Sequence, residues 1–190
     1  MSILESISKR RTYYQINKEL PVDAAVVKDV VEKATELVPD AFNMKSARVV
    51  LALGAKQDEL WDAIYDAFGG KVPRAKIDSF KAGTGTVLYF YDEDVVKSLQ
   101  EQYASYAANF PIWAQQANGM LQFTIWTALR DLDIGANLQH YNPVIDEAVK
   151  KLFGVPDSWK LIAQMPFGGI VSEPEAKEKE AISVRVKISE

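Results

Sequence analysis

The sequence predicts one domain of the α+β class that extends over residues 1–190. Apolar residues make up 48% of the chain and charged residues 25%, which is the composition of an ordinary folded protein. Some segments repeat apolar residues at the three- and four-residue spacing of a helix, and others show the short apolar runs or two-residue alternation of a strand. A chain of this length buries roughly 70% of its unfolded surface, so it can form one core.

The first half of the chain predicts four helices and two strands. Pro21 and Pro39 delimit the second helix, Gly54 ends the first strand, and Gly69 follows the third helix. The apolar stripe expected on the second helix consists of Val26, Val30, Ala34 and Leu37. The helices are expected at residues 2–9, 22–37, 60–68 and 75–81, and the strands at residues 47–53 and 86–91.

The second half predicts three helices and two strands. Apolar residues recur at helical spacing from Val96 to Phe110, and Asn142 with Pro143 is typical of the start of a helix. From Ile182 onward apolar and polar residues alternate, which predicts a half-exposed final strand that joins its own sheet or a partner's. The helices are expected at residues 96–110, 112–132 and 143–153, and the strands at residues 159–165 and 182–188.

Residues 112–129 carry no charge and raise the alternative of a membrane-spanning helix. Three glutamines and one asparagine fall within this stretch, and lipid would penalise their amide groups. We therefore expect a helix buried in protein and no membrane partner. The N-terminus has Glu5 where a signal peptide would have bases followed by an apolar run, so we expect a cytoplasmic protein.

Charge and reactive residue types exclude several classes of function. A net charge of −4 and a pI near 5.2 argue against a nucleic-acid partner, because nucleic-acid binders present a basic face. The chain has no cysteine, so any redox chemistry must come from a cofactor. Its one histidine, His140, belongs to no metalloprotease motif, and the sequence has neither a nucleophile elbow nor a Walker loop. Gly83-Thr84-Gly85 precedes a strand, which predicts a turn rather than a dinucleotide fingerprint.

Two polar segments in the first half are candidates for ligand binding. Residues 9–12, Lys-Arg-Arg-Thr, follow the first helix, and adjacent cations with a hydroxyl suit a phosphate. The alternative is a solvated basic helix end, which the helix dipole favours. Residues 38–46 form a polar loop whose Asn43 can donate and accept hydrogen bonds at once, as recognition of a mixed ring edge requires. The alternative there is a plain turn.

Two further candidates lie in the second half. Residues 134–143 connect two predicted helices, and this length and weak polarity suggest backbone groups presented to a ligand. The alternative is a capped loop in which the His140 side chain only makes hydrogen bonds within the protein. Lys177 and Lys179 stand just before the predicted final strand, where a solvated charge run is the alternative.

In this order and spacing, the four segments resemble the nitroreductase family of FMN enzymes, and within it the short fatty-acid-repression-type branch of fungi and bacteria. The likeness covers nearly the whole chain, and the run Leu-Gln-His-Tyr-Asn-Pro at residues 138–143 is quite specific. It implies an α+β fold with a central mixed or antiparallel sheet flanked by helices, in an intertwined homodimer. The likeness is carried by Arg10-Arg11-Thr12-Tyr13-Tyr14 and by residues 85–90, 126–129, 137–143 and 185–187.

The resemblance implies an FMN site to which both ends of the chain and a partner subunit contribute. Arg10, Arg11 and Thr12 would bind the ribityl-phosphate and pyrimidine side, and Lys177 and Lys179 would approach the phosphate. A loop would reach the flavin from the partner, and the backbone N–H of a turn would face flavin N5. The loop residues are Ala41, Phe42, Asn43 and Lys45, the turn residues are Leu138, Gln139, His140 and Tyr141, and Lys76 would approach the pyrimidine edge.

The implied reaction is a ping-pong cycle in which NADH or NADPH gives hydride to the flavin and a nitroaromatic or quinone then accepts the electrons. No side-chain catalyst is required, and His140 is expected to act through its backbone. Tyr103, Tyr106 and Phe110 could wall the slot for a small aromatic acceptor by stacking, or could belong to the core.

The neutral helix, with Trp113, Met120 and Trp126, is the expected dimer core, because a flavin between subunits needs a large permanent interface. Two other functions fit the same residues. One is a flavin-binding redox regulator or flavin store with little turnover, and the other is an anion-binding domain without flavin.

Overall fold

The structure, a computed structural model, describes residues 2–190 and confirms the α+β class. Its centre is a five-stranded antiparallel sheet in the order β1-β5-β3-β2, with β4 paired to β5. The strands are β1 (Ile16–Asn17), β2 (Ala47–Leu53), β3 (Gly85–Asp92), β4 (Ile134–Ala136) and β5 (Trp159–Ile170). The helices are α1 (Ile3–Lys9), α2 (Ala24–Leu37), α3 (Ala55–Ala67), α4 (Arg74–Lys81), α5 (Glu93–Gln102), α6 (Phe110–Asp131), α7 (Asp146–Phe153) and α8 (Ile182–Arg185).

The central strand β3 shows why helices cover both faces of the sheet. Successive side chains of a strand point to opposite faces. Val87 and Tyr89 pack in one cluster with residues of α2 and α6, whereas Leu88 and Phe90 pack in another with residues of α3, α4 and α7. All four side chains are fully buried, which explains the continuous apolar run that predicted this strand.

The helix α6 lies along the sheet and buries its amide groups with partners. The Asn118 amide donates from Nδ2 to the Phe90 carbonyl oxygen at 2.9 Å, and Gln122 Nε2 donates to Asn118 Oδ1 at 2.7 Å. On its other side Ile112, Met120 and Phe123 are 40–54% exposed. No helix in residues 2–190 has the length and apolar character needed to cross a membrane.

The buried face of α2 differs from the predicted stripe by one residue. Val27, Val31 and Ala34 are buried, whereas Val26 and Leu37 are exposed. Both sets have helical spacing, and a shift of one residue rotates the buried face by about 100°. The periodicity alone therefore could not decide between them.

Two helix predictions in the second half were wrong at their ends. Residues 96–110 are not one helix, because α5 ends at Gln102 and Tyr103 leaves the helical region with φ −128° and ψ 63°. The amide of Gln100 donates to the Ala107 carbonyl oxygen at 2.8 Å and stabilises the joint before α6. Similarly, α7 begins at Asp146 rather than at Pro143, because residues 142–145 form turns.

The prediction of a final strand was also wrong within this chain. Residues 182–185 form the helical turn α8, and residues 186–190 have no regular structure. A strand requires a neighbouring strand for its backbone hydrogen bonds, and no sheet strand of residues 2–190 pairs with this segment. The alternating apolar residues Ile182, Val184, Val186 and Ile188 are 51–79% exposed.

Candidate functional site

Both ends of the chain form one groove of about 510 Å³ around the candidate phosphate segment. Arg10, Arg11 and Thr12 line one wall, directly after α1, and residues 172–177 line the other. The guanidinium group of Arg11 donates to the carbonyl oxygen of Glu175 and fastens the two walls together. Both Lys177 and Lys179 were predicted for the phosphate site. Lys177 lines the groove, whereas Lys179 does not.

Arg10 is held in this groove by aromatic rings of α6. Its guanidinium carbon lies 4.3 Å from the centre of the Trp126 ring and 6.0 Å from that of Phe123. These two rings are three residues apart on the helix and therefore face the same side. Their contact with Arg10 was not predicted, although two aromatic residues at helical spacing are visible in the sequence.

The Arg10 cation has no acidic partner. Its Nε atom is buried without a hydrogen bond, and no carboxylate within residues 2–190 forms an ion pair with Arg10 or Arg11. Burial, and then the neighbouring charge of Arg11, lower the pKa of Arg10. A buried polar atom that lacks a partner costs free energy, which a bound anion would recover.

Tyr13 follows the phosphate segment at residues 10–12 and fixes it to the body of the protein. Its buried hydroxyl donates to Glu173 Oε2 at 2.9 Å and accepts from Arg130 Nε at 3.1 Å. Arg130 in turn pairs with Asp133 at 2.7 Å. Burial, followed by the hydrogen bond to Glu173, raises the pKa of the Tyr13 phenol, so it remains a donor at neutral pH. Since Tyr13 and Glu173 are 160 residues apart, no local pattern in the sequence indicated this contact.

The turn at residues 138–141 leaves alternate backbone N–H groups available. Gln139 exchanges both backbone hydrogen bonds with Gln164, at 2.7 and 2.9 Å, and the Tyr141 N–H donates to Gln164 Oε1 at 2.8 Å. In the described chain, no hydrogen bond engages the N–H of Leu138 or His140. The side chain of His140 is exposed. The turn can therefore present two backbone donors to a ligand.

Lys76 of α4 lies beside this turn, as the predicted site requires. Its Nζ atom is 5.9 Å from the centre of the Tyr141 ring. That ring packs edge-on against Trp61 and Phe68 of the α3 segment and Phe80 of α4, which hold the turn against both helices. Lys76 itself is exposed, so its ammonium group is free to approach a ligand at the turn.

The loop at residues 41–45 has an unusual backbone. Phe42, Asn43 and Lys45 have φ values of 56°, 50° and 52°, in the left-handed region that non-glycine residues rarely adopt. The carboxylate of Asp40 closes the loop, because one of its oxygens accepts from both the N–H and the hydroxyl of Ser46, at 2.9 and 2.7 Å. A strained loop that is held in place in this way is typical of a ligand-binding segment.

This loop places Phe42 in a cluster of aromatic rings. The Phe42 ring stacks on Trp113 at 5.7 Å with 19° between the planes. It also lies 4.9 Å from Tyr103, 5.8 Å from Tyr106 and 5.2 Å from Phe110. Phe42, Tyr103 and Tyr106 are 43–49% exposed, whereas Phe110 is fully buried. Of the three predicted substrate residues, Phe110 therefore supports the exposed rings from beneath instead of walling a slot.

Within one chain the predicted site lies in two separate parts. Trp113, under the loop, and Trp126, under Arg10, are thirteen residues apart on α6, which corresponds to about 20 Å along its axis. Asn43 and Lys45 line a different cavity from the groove, and the two cavities share no residue. No cluster of acidic and histidine side chains in residues 2–190 is suited to a metal ion.

Known proteins share both the sequence and this architecture. The model of the nitroreductase family matches residues 7–169. The nitroreductase FRM2 of Saccharomyces cerevisiae is 34% identical over 177 residues, which are 92% of this chain and 91% of that protein. The structure of the nitroreductase CinD from Lactococcus lactis in complex with 4-nitrophenol has a TM-score of 0.95 and 41% identity, with 100% of both chains covered.

A more distant structure shares the fold alone. A protein of Exiguobacterium sibiricum, solved in complex with FMN, is 12% identical with a TM-score of 0.76, and the alignment covers 100% of this chain and 98% of that one. The family match spans well over half of the chain, and the closely similar relatives span nearly all of it. The chain therefore belongs to the nitroreductase family.

Proposed function

We propose that the protein is an FMN-dependent oxidoreductase that uses NADH or NADPH to reduce nitroaromatics or quinones in a ping-pong cycle. The observation that carries this proposal is the groove in which Lys177 faces two arginines that form no ion pair within residues 2–190. FMN, when bound, supplies the redox chemistry that a chain without cysteine lacks. The 4-nitrophenol complex of CinD and the FMN complex of a protein with the same fold support the choice of substrate class and cofactor.

Arg10, Arg11, Thr12 and Lys177 would hold the phosphate of FMN. Arginine offers a planar set of donors that matches a phosphate, and charge-assisted hydrogen bonds are about twice as strong as neutral ones. The buried Nε of Arg10 fits this assignment, because it lacks a partner in the chain itself. Glu173, which also lines the groove, accepts from the Tyr13 hydroxyl, and it forms no ion pair with Arg10 or Arg11 among the described residues.

The turn and Lys76 would face the flavin ring. The N–H groups of Leu138 and His140 are fixed by the hydrogen bonds that their neighbours make to Gln164, so they are oriented before any ligand binds. Preorganised donors and a nearby cation stabilise negative charge on a ring without reorganisation. This arrangement requires no side-chain acid or base, which is consistent with an exposed His140.

The separation of the site into two parts supports a homodimer as the working form. The loop that carries Asn43 is about 20 Å from the groove along α6 and lines a separate cavity, which favours a loop contributed to the flavin by a second subunit. Exposed apolar residues of α6, among them Ile112, Met120 and Phe123, supply a surface for that subunit. Phe42 with Tyr103 and Tyr106 would then offer exposed rings on which an aromatic acceptor stacks.

The tail is expected to take part in the same dimer. Its apolar residues alternate but have no strand partner within residues 2–190, and β2 is an edge strand beside a groove of about 630 Å³ whose lining includes Val49, Leu51 and Leu53. If the tail extends and pairs with the free edge of β2 in a partner subunit, the backbone hydrogen bonds of both the tail and β2 are satisfied. In the double variant Val184→Asp with Val186→Asp, sedimentation should show monomers. The control Ser183→Asp with Ser189→Asp adds the same charge to the other side of the strand and should stay dimeric.

The function is tested by the visible spectrum of the pure protein and by turnover. Purified protein should be yellow, release FMN on denaturation, and oxidise NADH or NADPH when menadione or 4-nitroquinoline oxide is added. Bound FMN without turnover would favour the flavin store or regulator. A protein that stays colourless after FMN is added would refute the proposal and favour an anion-binding domain.

A further inference from the structure

Asn137 connects the phosphate segment at residues 10–12 with the turn at residues 138–141. Its side chain is fully buried between the phosphate segment and the turn. The Nδ2 group donates to the Tyr13 carbonyl oxygen at 2.8 Å, and Oδ1 accepts from Gln139 Nε2 at 2.7 Å. In addition, the Tyr13 N–H donates to the Ala136 carbonyl oxygen at 3.0 Å. One amide therefore fixes the residue that follows Arg10–Thr12 and also a residue of the turn.

The same chain of hydrogen bonds continues to the far side of the turn. Gln139 pairs through its backbone with Gln164, whose fully buried amide accepts from the Tyr141 N–H at 2.8 Å. Trp126, the ring under Arg10, also donates from Nε1 to the Ala136 carbonyl oxygen at 3.2 Å. The platform of Arg10 and the two free N–H groups of the turn thus belong to one connected set of buried contacts.

We propose that Asn137 is a positioning residue, which sets the separation between the phosphate segment and the turn so that one FMN can engage both at once. This inference rests on the proposed function. When two binding segments are held rigidly, the second contact is made without a further ordering cost. If the segments move independently, the phosphate contributes less to the affinity, although each segment still exists.

The chain contains a matched control in Asn118. This residue is also fully buried, donates from Nδ2 to a backbone carbonyl oxygen at 2.9 Å and accepts from a glutamine Nε2 at 2.7 Å. Its partners, Phe90 and Gln122, lie in β3 and α6 and outside the groove and the turn. Loss of the amide at either position should therefore cost similar stability, and only the loss at Asn137 should change how FMN is bound.

The experiment compares Asn137→Leu with Asn118→Leu in the full-length protein. The dissociation constants of FMN and of riboflavin are measured by flavin fluorescence, and the riboflavin constant divided by the FMN constant reports the contribution of the phosphate. Two lost hydrogen bonds of ordinary strength predict that Asn137→Leu lowers this ratio by up to about 30-fold. The ratio for Asn118→Leu should equal that of the wild type, even if both variants melt at lower temperatures. Equal ratios in the two variants would overturn the inference.

A second variant serves if Asn137→Leu does not fold. In Asn137→Asp the neutral acid keeps both hydrogen bonds, whereas the carboxylate loses the donor to Tyr13, so the affinity ratio should fall as the pH rises. The wild type in the same buffers corrects for ionisation of the phosphate itself, and a ratio that follows the wild type at every pH would count against the role of Asn137. If the wild type binds no FMN, the proposed function fails instead, and the two failures are thus distinguishable.

Discussion

Arg10→Met removes the cation that lies on Trp126 while it keeps an unbranched side chain that can cover the ring. In most proteins the loss of a half-buried arginine breaks an ion pair and destabilises the fold. Among the described residues, Arg10 has no acidic partner and its Nε has no hydrogen bond, and its pKa is lowered by burial and by Arg11. We therefore expect the substitution to weaken cofactor binding strongly and to affect the stability of the cofactor-free protein only slightly.

The two effects can be given magnitudes. A hydrogen bond between charged groups contributes about 1.5–3 kcal/mol, so the dissociation constant of FMN should rise roughly ten- to 150-fold. The stacked cation contributes about 0.5–1 kcal/mol at a partly exposed site, and relief of the repulsion from Arg11 offsets part of this. The free energy of unfolding without FMN should consequently change by no more than about 1 kcal/mol.

Titration with FMN and urea denaturation of the cofactor-free protein measure these two quantities separately. Arg74→Met is the matched control, because Arg74 also lies over a ring, 4.9 Å from the centre of Tyr65, but pairs with Asp62 and Asp78. The control should lose little stability, because its ion pairs are exposed to solvent, and it should bind FMN like the wild type. If Arg10→Met destabilised the cofactor-free protein by several kcal/mol and left the FMN affinity unchanged, the arginine would be structural and the reasoning would be wrong.

Three other predictions concern single positions. Burial raises the pKa of the Tyr89 phenol well above its usual value, so the free energy of unfolding should fall as the pH rises past about 10, where the unfolded chain ionises first, and Tyr89→Phe should reduce this slope in alkaline denaturation curves. Gly168→Ala would place a methyl group 2.1 Å from the Asn17 carbonyl oxygen, and we expect a loss of about 1–3 kcal/mol in thermal unfolding, with weaker FMN binding because β1 is displaced. His140→Ala should leave the turnover number nearly unchanged, since a side-chain proton donor would contribute about 100-fold or more, and a loss of that size in steady-state assays would show that its imidazole takes part.

The elements with strong periodicity were predictable from the sequence. The strands β2 and β3 lie within one residue of their predicted bounds, because both contain continuous apolar runs, and β3 is buried on both faces of the sheet. The strands β1 and β4 were missed, since two and three residues are too few to show a period. The predicted strand at residues 182–188 was wrong for a different reason. Its apolar and polar residues do alternate, but no strand edge within residues 2–190 pairs with it.

The candidate site also has features that the sequence predicts and contacts that it does not. Adjacent charges such as Arg10-Arg11 are visible in a sequence, and the structure places them opposite Lys177 in one groove. The contacts that orient them are not visible, because Tyr13 meets Glu173 across 160 residues and Asn137 meets Tyr13 across 124. Such pairs depend on the topology of the sheet, which brings β1, β4 and the end of β5 together.

The construction of the groove has a consequence for how a ligand leaves it. One wall belongs to the packed body of the protein, whereas the other, residues 172–177, is a surface segment attached through Arg11 and Tyr13. Segments with few buried contacts open at a free energy far below that of global unfolding. Exchange of the ligand can therefore proceed by peeling of this wall while the sheet stays intact. Amide hydrogen exchange in residues 172–177 should then be slower when the groove is filled, and the remaining exchange should occur at the rate of ligand release.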